Sequence, residues 1–464
     1  MAHLRGSLRC GRTVGLLVEY GKLPTQVSGV DGILSSVYTI NPSREYVSKD
    51  FGKRAWSSAS WDPSVSGEGR YERMSDVPPE GIVTVRDPIT FKDNWHAGMS
   101  LKEAVDSRNK EDTFGLYVDL PKRAGNVVAE ATASFYHHPE LTRANIRQFD
   151  YGCKGAMQEF NATGQHMCMY RPCLDELYSA ALDEGNKGSR VDIVLDGWKG
   201  SGKTVALYSL AALAREKGWV VMFVPSASLL VQGGMFKRKD EDEAVWYTPQ
   251  AAHHILRAVF EPHAESLEIL SSLDGRRSLG DVCRHGLETK DDFERVDAAI
   301  EVMRGLLRAD GEHGIRTLVI VDEYNYLYHR TEYHETMHQF HRRRIEPREL
   351  KLASAFMLSE QDREAGIVAT ACTHGGPISP RVHVPIHSES RIIRVPRFSL
   401  EEVSNMCSMM VSKKLVPELP PDDSLRRALA LTNGNGKEIR EGRTTLFQKD
   451  CGMALSFGRK NTSK

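Results

Sequence analysis

Residues 191–204 read Val-Asp-Ile-Val-Leu-Asp-Gly-Trp-Lys-Gly-Ser-Gly-Lys-Thr, and this stretch decides the fold. Its first five residues are mostly apolar and predict a short buried strand. From Gly197 onward it fits the pattern Gly-x-x-x-x-Gly-Lys-Ser/Thr, whose loop turns backbone N–H groups around phosphates. Residues 203–217 then carry a periodic apolar stripe, which predicts a helix that ends at Gly218. A strand, a glycine-rich loop and a helix in this order predict a P-loop for a nucleoside triphosphate.

The chemistry of phosphate binding gives each residue of the loop a role. Glycines leave out the Cβ atoms that would obstruct the phosphates. Lys203 would reach the β- and γ-phosphates, and the Thr204 hydroxyl would ligate Mg²⁺. The positive N-terminal end of the following helix points at the same anion. The residues of this stretch that we predict to contact the nucleotide are Gly197, Lys199, Gly200, Ser201, Gly202, Lys203, Thr204 and Val205.

The acidic half of the site is expected where a third apolar run, residues 317–321, meets Asp322 and Glu323. Asp322 would hold Mg²⁺ through water, at the end of a strand that neighbours the P-loop strand. Glu323 stands where many P-loop ATPases keep the base that polarises an attacking water, which makes it the candidate catalytic residue. The alternative is a strand that runs into an acidic turn.

Polar residues further along the chain could complete the site. Thr370, Thr373 and His374 follow or close a strand pattern over residues 366–371 and are candidates to sense the γ-phosphate, with Thr373 taken as a nucleotide contact. The C-terminal segment offers two candidate cations, Lys437 and Arg440. The base is left open, because the only guanine-reading pattern, Thr289-Lys-Asp-Asp, precedes the acidic strand and lies in a predicted helix. From these residues, ATP and GTP are both possible.

The remaining patterns predict an α/β fold with a parallel P-loop NTPase sheet, a C-terminal helical lid or winged-helix region and an irregular N-terminal extension. Ser399 with Glu402 has the spacing of a capping box and predicts the start of a lid helix. Further elements are expected as strands over 219–224 and 391–395 and helices over 249–308 and 347–358. The predicted domains are a targeting segment (1–18), the extension (19–165), the P-loop core (166–396), the lid (397–450) and a tail (451–464).

Composition restricts the class of protein. The formal net charge is -1, so any contact with nucleic acid must come from local basic patches. None of the 8 cysteines forms a Cys-x-x-Cys pair, which favours free thiols over a zinc site. No apolar run is long enough for a membrane helix. Candidate basic patches are His341–Arg344 with Arg348, then Arg391, Arg394 and Arg397, and the tail residues Arg459, Lys460 and Lys464, each of which could instead be an ordinary solvated face.

The N-terminus has the composition of a mitochondrial targeting segment. Residues 1–18 contain no acidic residue, and Arg5, Arg9 and Arg12 are spaced to share one face of a helix. Basic, acid-free and weakly amphipathic segments are typical of mitochondrial import signals. A flexible tail is the alternative interpretation.

Several strings resemble the death-associated-protein-three family, the P-loop proteins of the mitochondrial small ribosomal subunit. They are Met169-Tyr-Arg-Pro172, the P-loop with Gly218–Ala227, Val321–Thr331, and Val395–Glu402 followed by Leu431–Asn435. The resemblance implies an AAA+-like core built into the ribosome, with GTP or GDP and Mg²⁺ held mainly for structure. It also implies partners among the small-subunit rRNA and ribosomal proteins, with possible contact to the large subunit, in the mitochondrial matrix.

Two hypotheses follow. The first is a structural component of the mitochondrial small ribosomal subunit that uses its nucleotide as a folding ligand and is not a turnover enzyme in its main role. The second is a free AAA+-like switch ATPase or GTPase. Glu323 keeps weak hydrolysis open, since it stands where family members can have a non-acidic residue.

Overall fold

The structure of the protein is a computed structural model. It describes residues 94–121, 163–183, 188–232, 234–239, 244–338, 341–361, 363–374, 384–416 and 418–441. The predicted targeting segment (1–18) and tail (451–464), with their basic residues, lie outside the described residues.

A parallel sheet of five strands forms the centre of the described chain, in the order β12-β4-β11-β8-β5. The strands of the described chain, in sequence order and including those of the smaller sheets, are β1 His96–Ser100, β2 Tyr117–Asp119, β3 Met167–Met169, β4 Arg190–Trp198, β5 Val220–Val224, β6 Lys237–Arg238, β7 Trp246–Tyr247, β8 Thr317–Val321, β9 His334–His338, β10 His341–Arg344, β11 Gly366–His374 and β12 Arg391–Arg394. All five residues of β5 and of β8 are buried. Such uninterrupted apolar strands form when both faces of a parallel sheet are covered. The predicted P-loop α/β fold class is confirmed.

Helices cover both faces of this sheet. The helices of the described chain, in sequence order, are α1 Leu101–Asp106, α2 Pro172–Leu182, α3 Lys203–Glu216, α4 Ser228–Val231, α5 Pro249–Ile269, α6 Leu279–Glu288, α7 Asp292–Arg308, α8 Lys351–Ala355, α9 Leu400–Ser412, α10 Asp422–Thr432 and α11 Gly436–Glu441. The apolar residues of α2 and α3 pack on one face of the sheet. Those of α5, α6 and α7 pack on the other face. In open α/β sheets of this kind, ligands bind at the carboxyl ends of the strands.

A second, smaller sheet joins β1, β2 and β3 in that order. Tyr117, Met167 and Met169 from this sheet share an apolar cluster with Val403 and Met406 of α9. Residues 96–119, expected to belong to an irregular extension, therefore contain two strands and a helix that support the C-terminal helices. The sequence signal was weak because these strands are only five and three residues long.

The C-terminal helices α9, α10 and α11 form what we call the lid. Ser399 accepts from the backbone N–H of Glu402, and the Glu402 side chain accepts from the Ser399 N–H, so the predicted capping box is present. Within the described part of 397–441 the lid contains no strand, so it is helical there and shows no wing.

Two expectations about the core need correction. The strand that carries Asp322 is not the neighbour of the P-loop strand, because β11 lies between β4 and β8. The helix expected over residues 347–358 is broken into a 3₁₀ turn, the short α8 and a second 3₁₀ turn at Leu358–Glu360. None of the described helices combines the length and apolarity that a bilayer crossing requires.

Candidate functional site

The glycine-rich loop lies at the carboxyl end of β4, the strand between β12 and β11 in the central sheet. The strand ends at Trp198, and α3 begins at Lys203, so the intervening residues form a tight connection. At Gly200 the backbone φ is +85°, and a Cβ added there would lie 1.9 Å from Asn435 Oδ1. Only glycine satisfies both the left-handed backbone and this close approach of the lid.

Lys203 is the buried cation of the site. Its side chain is 4% exposed. The ammonium Nζ donates to the carbonyl oxygens of Gly197 at 2.7 Å and Trp198 at 2.8 Å. Burial lowers the pKa of this ammonium to about 8, against the opposing effect of the Asp322 and Asp196 carboxylates. The site therefore holds a positive charge in a poorly solvated position, where a phosphate would interact with it strongly.

Thr204 and Asp322 are in contact although β4, which precedes the loop and Thr204, and β8, which precedes Asp322, are not neighbours in the sheet. Thr204, in the first turn of α3, donates its hydroxyl to Asp322 Oδ2 at 2.6 Å. The backbone N–H of Glu323 donates to Asp322 Oδ1 at 2.8 Å. Burial raises the pKa of the Asp322 carboxyl. A hydroxyl and a carboxylate side by side, next to a phosphate-binding loop, are the oxygen ligands that fit Mg²⁺.

Glu323 follows Asp322 in a left-handed conformation, with φ of +52°. Its Oε2 accepts a hydrogen bond from the Ser226 hydroxyl, and Ser226 is in turn 2.6 Å from the Ser228 hydroxyl. Ser226, which follows β5, was not among the residues expected at the site. The candidate base thus has a fixed orientation beside the acidic strand end.

Polar groups at the end of β11 also reach the site. Thr373 stands opposite Gly197 in the sheet register, and its backbone N–H donates to Asn325 Oδ1 at 3.1 Å. Thr370 lies inside the strand rather than beyond it, because β11 extends to His374. Its hydroxyl donates to the carbonyl of Ile193 at 3.3 Å. Thr373 and His374 therefore lie at the carboxyl end of β11, opposite Gly197 and Trp198, whereas Thr370 does not.

The remaining candidate residues differ in their exposure and in their position relative to the loop. Lys199 is exposed on the loop, while Val205 is half-buried in the first turn of α3. The Lys437 Cβ lies 3.1 Å from the position of a Cβ at Gly200, so this lid lysine does lie against the loop. Arg440 follows three residues later in α11.

Arg171 and Asn435 also reach the site, although no role was predicted for either residue. The Arg171 guanidinium donates to the carbonyl of Ser201 in the loop at 2.9 Å. Asn435 abuts Gly200 from the lid. Neither could have been identified from local patterns, since both act across long separations in sequence.

The basic patches differ in how far they are neutralised. Arg343 pairs with Glu335 and Glu349, and Arg348 pairs with Glu360. The Arg391 guanidinium pairs with Glu176. Arg397 lies over the ring of Trp198 at 4.6 Å, and Trp198 is 51% exposed. Arg342, Arg344 and Arg394 are exposed and make no ion pair with any described residue. Positive charge is therefore better available at these three arginines than at Arg343 and Arg348.

The lowered pKa of Lys203 predicts how nucleotide affinity depends on pH. We expect the affinity for Mg²⁺ and GDP to be nearly constant around pH 7 and to fall above about pH 8, because a neutral amine no longer attracts phosphate. The limiting slope is roughly tenfold per pH unit. Without nucleotide, the quantity that depends on this pKa is the stability of the fold, and it changes with pH in the opposite direction. Since the folded pKa lies below the ordinary value of 10.5, stability should rise between about pH 8 and pH 10.5. Titrations from pH 7 to pH 9.5 measure the effect on affinity.

Lys203→Arg is the matched control for this pH dependence, because a guanidinium stays charged throughout the range. The affinity of this variant for nucleotide should not change with pH above 8, even if it differs from the affinity of the wild type. Equal slopes for the wild type and this variant would contradict the assignment to Lys203.

Comparisons with known proteins agree with the resemblance found in the motifs. Residues 168–373 match the model of the family described as "Mitochondrial ribosomal death-associated protein 3". No curated protein matches the chain. Among solved structures, one titled "Structure of the Aeropyrum Pernix ORC2 protein (ADPNP-ADP complexes)" is similar at 12% identity and a TM-score of 0.29. The alignment covers 58% of this chain and 59% of that one, and so distant a likeness adds nothing to the site.

The family match spans the P-loop, the acidic strand end at Asp322 and the polar strand end at Thr373. The predicted resemblance is confirmed over this segment, and the predicted mitochondrial localisation is confirmed with it. Residues 168–373 of this chain are thus similar to the mitochondrial ribosomal death-associated protein 3 family.

Proposed function

We propose that this protein is a structural component of the mitochondrial small ribosomal subunit and that it holds a purine nucleotide, GTP or GDP, with Mg²⁺ in its P-loop. The observation that carries the nucleotide proposal is the placement of Lys203, Thr204 and Asp322. A buried ammonium lies beside a hydroxyl and a carboxylate that are 2.6 Å apart. A glycine-rich loop precedes this group at the mouth of a parallel sheet.

Each residue has a defined task in holding the ligand. The N–H groups of the loop and of the first turn of α3 would bind the phosphates. Lys203 would exchange its bonds to the loop carbonyls for bonds to phosphate oxygens. Thr204 and Asp322 would hold Mg²⁺, which supplies neutralisation of the phosphate charge when bound. GTP is favoured by the family resemblance, while ATP remains an alternative for the base.

A structural role for the nucleotide fits the contact between lid and loop. Asn435 and Lys437 of the lid lie against Gly200, so a ligand that fixes the loop also fixes the surface on which the lid rests. A ligand that binds only the folded form stabilises that form by mass action. We therefore expect the nucleotide to act mainly as a folding ligand that supports assembly of the subunit and mitochondrial translation.

Contact with rRNA would use local positive charge, because the chain has a net charge of only -1. The exposed Arg394 and Trp198 suit this role better than Arg343 and Arg348, which form ion pairs with glutamates. Arginine side chains bind phosphates, and an exposed aromatic ring stacks on unpaired bases.

One observation favours the alternative of a free switch ATPase or GTPase. Glu323 is present beside Asp322 and is oriented by Ser226. A switch enzyme predicts measurable turnover that Glu323→Gln abolishes, together with protein that sediments apart from ribosomal subunits. The structural hypothesis predicts little turnover in either protein.

The test is sedimentation of mitochondrial lysate through a sucrose gradient, with mass spectrometry of each fraction and extraction of nucleotide from the same fractions. We expect the chain to sediment almost entirely with small subunits and to carry a guanine nucleotide in about equal amount. A chain that remains at the top of the gradient would refute the ribosomal assignment. Small-subunit fractions that contain the chain but no nucleotide would refute the bound ligand alone.

A further inference from the structure

Arg171, the residue before α2, connects the phosphate loop to the lid. Its side chain is 5% exposed. Nη1 donates to the carbonyl of Ser201 in the loop at 2.9 Å. Nη2 donates to the carbonyls of Pro396 at 2.9 Å and Arg397 at 3.2 Å, on the segment that leads into the lid. One buried guanidinium therefore bonds to the loop and to the entrance of the lid together.

The same guanidinium forms an ion pair with Glu402 in the first turn of α9. Nε donates to Oε1 at 2.7 Å, and Nη2 donates to Oε2 at 3.2 Å. The Phe398 ring lies 4.5 Å from the guanidinium carbon. Glu402 is also the acid of the lid's capping box, so Arg171 contacts the residue that starts the helix. This set of hydrogen bonds needs a planar group with several N–H donors, which the ammonium group of lysine does not provide.

A second connection returns from the lid to the loop. The backbone N–H of Phe398 donates to the carbonyl of Gly434 at 3.0 Å. The next residue, Asn435, caps the start of α11 by accepting from the N–H of Lys437 at 3.1 Å. Its Oδ1 is also the atom that approaches Gly200. The path therefore closes on itself, from the loop through Arg171 and the lid back to the loop.

We propose that Arg171 is a positioning residue that couples the conformation of the phosphate loop to the position of the lid. This inference rests on the proposed function, because the ligand that acts on the loop is the nucleotide. When nucleotide fixes the loop, the Ser201 carbonyl stays in place and every contact of the guanidinium is satisfied. When the loop moves, Arg171 retains a buried N–H without a partner, and its hold on Glu402 weakens.

The test is hydrogen exchange on the full chain, read in peptides from α9 and, as an internal reference, from α3. We compare the wild type with Arg171→Lys, Arg171→Met and Glu402→Gln, each alone and with Mg²⁺ plus GDP or ADP. Arg391→Met is the matched control, because Arg391 makes an exposed ion pair with Glu176 on the same α2. Exposed pairs of this kind contribute little to stability.

In the wild type we expect nucleotide to slow exchange in both α3 and α9 by about tenfold or more. In the Arg171 and Glu402 variants the slowing in α3 should remain, whereas the slowing in α9 should fall below about twofold. The double variant Arg171→Met/Glu402→Gln should be no worse than the single variants, since both act in one network. Arg391→Met should behave as the wild type. If Arg171→Met does not fold, Arg171→Lys and Glu402→Gln decide the question.

Full nucleotide-dependent slowing in α9 of the Arg171 variants would overturn the coupling, while leaving the nucleotide site intact. Failure of the proposed function gives a different result, namely no slowing in α3 of the wild type with either nucleotide. In that case the samples without nucleotide still decide whether Arg171 holds the lid. Exchange in α9 should be about tenfold faster in Arg171→Met than in the wild type, and equal rates would overturn the inference.

Discussion

Lys203→Ala is expected to weaken nucleotide binding by ~100-fold, because about 3 kcal/mol of charge-assisted hydrogen bonding to phosphate is removed. Burial of the neighbouring carboxylates increases this loss of nucleotide affinity. The variant retains the Asp322 and Asp196 carboxylates, which are 1% and 6% exposed, without the nearby ammonium. Two buried carboxylates then repel the incoming phosphates. Fluorescence titration of purified protein with Mg²⁺ and labelled GDP measures the change.

Lys217→Ala is the control for Lys203→Ala, because Lys217 is exposed and lies at the opposite end of α3 from the loop. Its affinity for nucleotide should stay within about threefold of the wild type, as expected for a solvated charge. In cells, Lys203→Ala should enter small ribosomal subunits less well than Lys217→Ala. Normal incorporation with normal nucleotide content in Lys203→Ala would contradict the structural role of the ligand.

Gly366→Ala is expected to destabilise the fold by about 3 kcal/mol, from left-handed backbone strain and from overpacking together. Gly366 begins β11 with φ of +93°. A Cβ there would lie 2.5 Å from the carbonyl oxygen and 2.8 Å from the Cα of Leu307, and this backbone cannot turn aside as a side chain would. β11 lies between β4 and β8, so its displacement would disturb both halves of the site. Urea denaturation of the full chain measures the free energy of unfolding.

Gly314→Ala separates the two contributions to the Gly366→Ala effect. Gly314 has a similar φ of +77°, but a Cβ there would meet no atom within 4 Å. Its cost should therefore be only the conformational one, about 1 kcal/mol. Equal losses of stability in the two variants would show that the contact with Leu307 contributes nothing.

The phosphate-binding half of the site could be predicted from the sequence because its geometry is local. The strand, the loop and the start of α3 are consecutive, so their spacing fixes how Gly197, Lys203 and Thr204 meet. The predicted β8 also matches the observed Thr317–Val321, since all of its residues are apolar and buried. Local patterns of this kind depend on neighbours in sequence and not on the rest of the fold.

The order of strands could not be predicted in the same way. Apolar strands such as β8 and β11 pair through backbone hydrogen bonds that carry no residue code, so Asp322 was expected one position too close to β4. The contact between Thr204 and Asp322 still forms, because the side chain that reaches across belongs to α3. Arg171 was missed for a related reason. Its partner Glu402 is 231 residues away, beyond any local pattern.

The edge of the central sheet has a consequence for self-association of the chain. β12 is an edge strand of the described sheet, pairing only with β4. The exposed Ile392 of this strand stands between Arg391 and Arg394, both of them exposed. An open strand edge with an apolar side chain invites pairing with strands of other molecules, and flanking charges oppose this. The Arg394 guanidinium would therefore oppose pairing of this edge with strands of other molecules.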